Sequence, residues 1–323
     1  MIEIEEFQET LSQHGYEYER FLGKGSFSNV FLCKSTKYNQ RFAIKRAIKK
    51  KIIDYEYNTM ISLNHPNIIK LYDAFEDENA HYLVMEYCPN GTIRQKGKLS
   101  YEEFVHYAKQ VLEAISYCHS QNVAHRDIKP DNIFLDQYDQ IKLADFGFAK
   151  QFEFDSKSEE KCGSLRFMAP EMLICQSICP FKADIWALGI TFFFMATGSF
   201  PFQSKTKDEL KQLIFLGQLD FDEYHMNHKI RYLISKMAAK NINLRAEPES
   251  LLKLPLFRKK EKKKYRRSLN IKSLIYSKDM NHHMGNASII IPKPEAFIKV
   301  NSFKIIEHST TKRSHNNYRH NTF

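Results

Sequence analysis

Between Tyr16 and about Tyr87, apolar and polar residues alternate in short runs. Examples are Asn29-Val30-Phe31-Leu32-Cys33, Arg41-Phe42-Ala43-Ile44-Lys45 and His81-Tyr82-Leu83-Val84-Met85. A period of two predicts half-buried strands. One stretch, around Asp54 to Leu63, is helical instead, and His65-Pro66-Asn67 ends it because the residue before a proline is pushed out of helical geometry. Residues 1–14 look like a polar helical lead-in. From Ser100 onward the period becomes helical. Phe104, Tyr107, Ala108, Val111, Leu112, Ile115 and Cys118 fall on one face of the stretch Tyr101 to Ser120. Ser100, with Glu103 three positions on, makes a capping box for that helix. Ile185 to Ala196 is apolar almost all round, which puts it at the centre of a helical layer. A β-rich small half followed by an α-rich large half predicts a two-lobed α+β fold with its chemistry at the junction.

Charge changes this picture at one end only. The 323 residues carry a net charge of +10, but residues 258–323 hold +12 of it and residues 1–257 hold −2. The folded body is therefore expected to end near residue 257, with a basic, unstructured tail after it. Hydrophobic residues at 43% and charged residues at 27% fit a globular body. Cysteines 33, 88, 118, 162, 175 and 179 form no C-x-x-C pair, so free thiols in a reducing compartment are expected rather than a zinc site. The acidic start Met1-Ile2-Glu3-Ile4-Glu5-Glu6 is unlike a secretory signal. The longest apolar run, Ile185 to Thr197, has 13 residues and is too short to span a bilayer. These features point to the cytoplasm or the nucleus.

Several motifs follow one another in a specific order. They are Gly23-Lys24-Gly25-Ser26-Phe27-Ser28-Asn29-Val30, Ala43-Ile44-Lys45, His125-Arg126-Asp127-Ile128-Lys129-Pro130-Asp131-Asn132, Asp145-Phe146-Gly147, Ala169-Pro170-Glu171 and Asp184-Ile185-Trp186-Ala187-Leu188-Gly189. Together they resemble a eukaryotic protein kinase catalytic domain over residues 16–257. Lys129-Pro130-Asp131-Asn132 and Gly163-Ser164-Leu165-Arg166-Phe167 resemble the serine/threonine type. Cys162-Gly163-Ser164 and His65-Pro66-Asn67 are similar to the calcium/calmodulin-dependent-like group. The resemblance implies a β-rich N-lobe with one main helix at 16–87, an α-helical C-lobe at 88–257, an N-terminal extension at 1–15 and a tail at 258–323.

It also implies roles. Gly23, Lys24, Gly25, Ser26 and Val30 would cover the phosphates of ATP, with Ser28 where a third glycine is usual. Lys45 would reach the α- and β-phosphates and Glu56 would fix its ammonium. Ala43, the gatekeeper Met85, the backbone of Glu86 and Cys88, and Phe134 below would form the adenine pocket. Asp127 would be the catalytic base and Lys129 would neutralise the γ-phosphate, while Asn132 and Asp145 would hold Mg²⁺. His125 and Phe146 would pack with Met60 and Leu71 in a column anchored by Asp184. Glu171 would pair with Arg245. The implied activity is Mg-ATP-dependent transfer of phosphate to protein hydroxyls, with serine favoured by Phe148. The alternative is a pseudokinase, a scaffold binding module, against which stands the presence of Lys45, Asp127, Asn132 and Asp145.

Four further features bear on control, specificity and partners. Arg126 precedes the catalytic aspartate, where the resemblance implies a partner phosphate on the activation segment; Ser156 and Ser158 are candidates for an upstream kinase. Glu159 and Glu160 lie just before Cys162, and their carboxylates could replace that phosphate in part. Phe194 and Thr92 stand where basophilic relatives carry acids, leaving Asp131 as the acid near that subsite. Finally, Arg258 to Arg267 holds eight basic residues in ten. Such a run suits a nuclear import receptor, nucleic acid, anionic lipid or a solvated arm.

Overall fold

The alternating runs of the first half sort into the two faces of one sheet. In the computed structural model, which describes residues 4–258 except 26, 27, 49, 153–157, 161 and 176, five strands form an antiparallel sheet. They are β1 (Tyr16–Lys24), β2 (Ser28–Ser35), β3 (Arg41–Ala47), β4 (Leu71–Glu76) and β5 (His81–Glu86), in the spatial order β1-β2-β3-β5-β4. Val30 lies opposite Lys45, and Lys45 opposite Leu83; Leu32 lies opposite Ala43, and Ala43 opposite Met85. The pleat puts all six on one face. The other face carries Phe31, Cys33, Phe42, Ile44, Tyr82 and Val84, all buried.

That second face would be an open apolar surface without the helix expected at residues 1–14. Helix α1 (Ile4–Gln13) supplies Phe7 and Leu11, four residues apart on one helical face and both buried in the same cluster. The Phe7 ring lies 4.5 Å from Phe31 and 6.2 Å from Tyr82, centroid to centroid. Burying two such side chains stabilises by about 1.5–3 kcal/mol each. The helix is thus part of the small lobe's packing, with only its outer face polar. On the opposite side of the sheet lies α2 (Lys50–Ser62), whose Met60 is buried in the main core.

The second half is helical. Between the lobes sits a short α3 (Ile93–Lys96), capped by Thr92 and Gln95 and stopped at Gly97, whose φ of 73° favours glycine. Helix α4 (Tyr101–Ser120) starts at the Ser100–Glu103 capping box and buries the seven apolar residues expected on its inner face. The short strands β6 (Val123–Ala124), β7 (Ile133–Leu135), β8 (Ile141–Leu143) and β9 (Lys150–Gln151) form two small antiparallel pairs, β6 with β9 and β7 with β8. Then come α5 (Pro170–Ile174), α6 (Pro180–Thr197), α7 (Lys207–Leu216), α8 (His228–Met237) and α9 (Pro248–Leu252). Helix α6 is buried from Asp184 through Met195. A Cβ at Gly189 would lie 3.1 Å from Met237 Cβ, so this glycine lets α6 and α8 touch. None of the described helices is long and apolar enough to cross a membrane. The basic run, apart from Arg258, and the rest of the tail lie outside the described residues.

One ion pair ties the lower half together. The Arg245 guanidinium, fully buried, donates to both carboxylate oxygens of Glu171 at 2.6 Å each and to the carbonyl of Ala239 at 2.8 Å. It also lies over the Trp186 ring, 5.1 Å from its centroid. Removing one partner strands a buried charge. The substitution Glu171→Ala should therefore lower unfolding free energy by about 3–5 kcal/mol, read by urea titration. A change below about 1 kcal/mol would show that solvent reaches the guanidinium.

Candidate active site

The site is built on a carboxylate that touches no substrate. Asp184, 1% exposed near the start of α6, accepts from the backbone N–H groups of His125 and Arg126 at 2.8 Å each. His119 Nε2 lies 3.0 Å from the same carboxylate. This clamp fixes the loop after β6. Arg126 there takes a φ of 68°, a conformation that L side chains rarely adopt. His125 uses both ring nitrogens inside the protein. Nε2 lies 3.1 Å from the Ala144 carbonyl, and Nδ1 accepts from Asp127 N at 3.3 Å, which assigns the proton to Nε2. Its ring sits 4.8 Å from that of Phe146. Phe146 and Met60 belong to the same buried core, and Leu71 packs against it.

Held this way, Asp127 points at a set of donors. Lys129 Nζ donates to Oδ2 at 2.5 Å; Ser164 donates to Oδ1 through both its N–H and its hydroxyl, at 3.1 Å each. Lys129 also donates to the Ser164 hydroxyl at 3.1 Å. Asn132 Nδ2 donates to the Asp127 carbonyl at 2.9 Å. Close approach needs Gly163, at φ 93°, where a Cβ would lie 2.5 Å from the Arg126 carbonyl.

Across the cleft, Lys45 Nζ lies 2.7 Å from both oxygens of Glu56 on α2 and 3.0 Å from Asp145 Oδ1. Burial pulls the ammonium's pKa down, but Glu56 and Asp145 hold it well above the ordinary lysine value. Burial likewise raises Asp145, and Lys45 more than reverses this, leaving its carboxyl below the usual range. Asp145 is also at positive φ, 65°.

The donor set suits a hard cation. Asn132 spends its amide nitrogen on Asp127, and Asp145 spends Oδ1 on Lys45. Asn132 Oδ1 and Asp145 Oδ2 accept no hydrogen bond among the described residues, leaving one amide and one carboxylate oxygen free, as Mg²⁺ requires. At the lobe junction, Glu86 N donates to the Lys70 carbonyl at 2.9 Å, whereas the backbone groups of Cys88 bond to no described residue. Met85 and Ala43 face each other across the β3–β5 ladder, and Phe134 sits half-buried on β7. Gly23, Lys24 and Val30 lie on β1 and β2, and Gly25 N closes the turn on the Ser28 carbonyl at 2.7 Å. Ser26 lies outside the described residues.

The activation segment brings a carboxylate to Arg126. Its Nη1 lies 3.1 Å from Glu160 Oε2, and Nη2 donates to the Glu160 carbonyl at 2.9 Å. Lys150 approaches the same carboxylate at 3.5 Å, and the Arg126 guanidinium stacks 5.7 Å from the Phe152 centroid. Lys150 and Phe152 escaped sequence reasoning; their basic-then-aromatic spacing after Ala149 was the available signal. Ser158 is not presented for modification in this arrangement. It is 6% exposed, pairs with Ile178 through two backbone hydrogen bonds, and its hydroxyl accepts from Glu160 N. Ser156, the other candidate for an upstream kinase, lies outside the described residues.

A strand-built lobe carrying an ion-paired lysine, set over a helical lobe whose loop presents a lysine-bonded aspartate, is the plan of a protein kinase. The model of the protein kinase domain matches residues 16–257, and the chain belongs to that family. It is similar to calcium-dependent protein kinase 6 of Plasmodium berghei (strain Anka), 35% identical over 74% of this chain and 17% of the relative. It is also similar to a probable serine/threonine-protein kinase, MARK-A, of Dictyostelium discoideum, 34% identical over 72% of this chain and 23% of the relative. A third relative is CBL-interacting serine/threonine-protein kinase 15 of Arabidopsis thaliana, 31% identical over 76% of this chain and 61% of the relative. The chain thus spans from about a sixth to about three fifths of the length of these relatives.

The Lys45–Glu56 pair makes a pH prediction. Burial already raises the Glu56 carboxyl against the opposing pull of Lys45; in Lys45→Met that pull is gone, and burial with the nearby Asp145 charge raises it further. The folded state then binds a proton that the unfolded chain releases. Stability should fall as pH rises from about 4.3 toward 7. In the wild type the raised Lys45 adds stability that is full below about pH 10.4 and is lost only above it. Melting temperatures from pH 4.5 to 7.5 check this; parallel curves for the two proteins would contradict it.

Proposed function

We propose that this chain is a Mg-ATP-dependent serine/threonine protein kinase. The observation that supports it most is the intact opposed pair of charge clusters, Lys45–Glu56–Asp145 on one side and Asp127–Lys129–Ser164 on the other. Names of the relatives above, which include serine/threonine kinases, agree with it. A scaffold without catalysis would not need both clusters complete.

In this reading a substrate hydroxyl docks against Asp127, whose carboxylate orients it and takes its proton as the new O–P bond forms. Lys129, already bonded to Asp127, sits where it offsets charge on the transferring phosphoryl group. Lys45, fixed by Glu56, holds the phosphates of ATP that leave as ADP. Magnesium, when bound by Asn132 Oδ1 and Asp145 Oδ2, supplies charge neutralisation between phosphate oxygens. Ser164 keeps the Asp127 carboxylate from rotating away. The backbone of Cys88 and the Glu86 carbonyl would read adenine.

Serine preference rests on Phe148, half-buried directly after Asp145-Phe146-Gly147. Activation rests on Glu160. Its carboxyl is held below the usual range, first by the Arg126 hydrogen bond and then by Lys150. It therefore stays charged to lower pH than a free glutamate, and its hold on Arg126 persists across neutral pH without phosphorylation. Phosphatase-treated protein should be active as made.

The test is phosphate transfer from labelled Mg-ATP to a basic carrier protein. Asp127→Asn should lower the rate by about 10²–10⁴-fold, and Asp145→Asn should abolish the magnesium-dependent signal. Transfer that survives both substitutions would belong to a contaminant, and its absence from the wild type across metals and substrates would favour the scaffold. Separately, Glu160→Gln should lower kcat of phosphatase-treated enzyme by about tenfold, the scale of losing one charge-assisted hydrogen bond. If phosphatase-treated wild type is inert and an upstream kinase restores it, Glu160 has no activating role.

A further inference from the structure

Two arginines beside the loop that carries Asp127 have no acidic partner among the described residues. Arg94, exposed on α3, places its guanidinium 4.9 Å from the ring centroids of both Phe194 and Phe200. Arg166 places its own 4.7 Å from the Phe200 centroid and donates to the Phe202 carbonyl at 2.6 Å. Phe194 and Phe200 stack on each other at 4.9 Å and 25°. One aromatic plate therefore carries two cations. Neither arginine forms an ion pair among the described residues.

The plate lies on the acceptor side of the site. Arg166 follows Ser164, which bonds to Asp127, by two residues. Helix α3 packs against the Pro130–Asn132 turn that continues the loop carrying Asp127, and α6 packs against the Leu165–Phe167 turn. The single acid on this rim, Asp131, is exposed and has no hydrogen bond or ion pair with a described residue.

A guanidinium over a ring face keeps N–H donors for a further partner, and Arg166 has spent only Nη1, on the Phe202 carbonyl. Two such groups on one plate repel each other, and an anion placed between them removes that repulsion while accepting charge-assisted hydrogen bonds. The apolar plate adds no opposing charge. We propose that Arg94 and Arg166, on the Phe194–Phe200 plate, form a subsite for an acidic or phosphorylated side chain at one fixed offset from the acceptor hydroxyl of a protein substrate. This rests on the kinase reading and extends it. It agrees with the lack of acids at Phe194 and Thr92, and the two cations outnumber Asp131 on the same rim.

The experiment uses the full chain and a set of serine peptides. Each carries glutamate, phosphoserine, alanine or arginine at one position within five residues of the acceptor. The expected result is one position at which glutamate, phosphoserine or both raise kcat/KM at least about tenfold over arginine, a difference of about 1.4 kcal/mol in transition-state binding. The ratio between glutamate and phosphoserine tells whether the natural anion is a carboxylate or a phosphate. In Arg94→Ala and in Arg166→Ala the preference should shrink, and in Arg94→Glu it should turn toward arginine, with the KM for ATP unchanged in all three. Selection of arginine by the wild type overturns the proposal. So does an acidic preference spread evenly over all positions, which would report general attraction to the basic tail. If no peptide is phosphorylated, the kinase reading fails by itself. The subsite is then judged by fluorescence anisotropy with the same peptides, where equal affinity of wild type and Arg94→Glu for the acidic peptides overturns it.

Discussion

Everything catalytic in this fold depends on the hydrogen bonds that Asp184 accepts. A carboxylate buried to 1% exposure costs several kcal/mol unless its lone pairs are filled. Here two backbone N–H groups and His119 fill them, and the two N–H groups belong to successive residues, His125 and Arg126. The charge cannot move without losing all of these bonds, so the loop cannot move either. Arg126 is thereby held at positive φ, and Asp127, the next residue, is aimed at Lys129 and Ser164. The rigid support is α6, buried along most of its length. A helix that no solvent touches is a poor place for a charge and a good place for an anchor.

The opposite wall works by a different balance. Lys45 is shared between a buried carboxylate, Glu56, and a partly exposed one, Asp145. Burial raises both carboxyls and Lys45 lowers both, and for Asp145 the lysine prevails. Asp145 keeps one oxygen free, and its depressed pKa keeps that oxygen ionised at neutral pH. The pair of lobes therefore presents compensated charge to the outside and uncompensated oxygen atoms to the cleft. Helix α1 matters to this balance from behind. By covering Phe31 and Tyr82 it fixes the back of the sheet whose front carries Lys45.

Much of this was legible in the chain itself, and what was not has a common cause. Strands β2, β3 and β5 follow from alternation, and α4 follows from its stripe and capping box, because both patterns are local. Helix α2 begins at Lys50, four residues before the expected Asp54. The charge clusters were legible through motif order, which places residues a hundred positions apart at one site. Three features were not. The burial of α1 depends on an apolar face of the sheet that only pairing creates, and two residues, Phe7 and Leu11, are too few to announce it. Ser158 is buried by a bridge to Ile178, twenty residues later, with no periodic signal. The stacking of Arg94 and Arg166 on one ring joins α3, a turn and the end of α6, three segments with no shared pattern.

Glu160 shows how such a long-range contact alters the chemistry that a motif implies. Arg126, before Asp127, is an incomplete element on its own, because its guanidinium needs an anion to hold the segment around Glu160 against the loop. A phosphate supplies a charge of about −1.5 to −2 and three acceptor oxygens. A glutamate supplies one charge and two acceptors, so its grip is weaker, and the structure compensates locally. The Glu160 backbone carbonyl takes a second Arg126 donor, Lys150 adds a cation, and Phe152 stacks beneath the guanidinium. Glu160 is largely exposed, so its ion pair alone is worth little in water. The backbone bond and the ring contact do not depend on ionic strength in the same way. Arg126 is thus held to the segment around Glu160 by a mixture of charge, backbone and ring contacts, of which the charge contact is the one that salt weakens most.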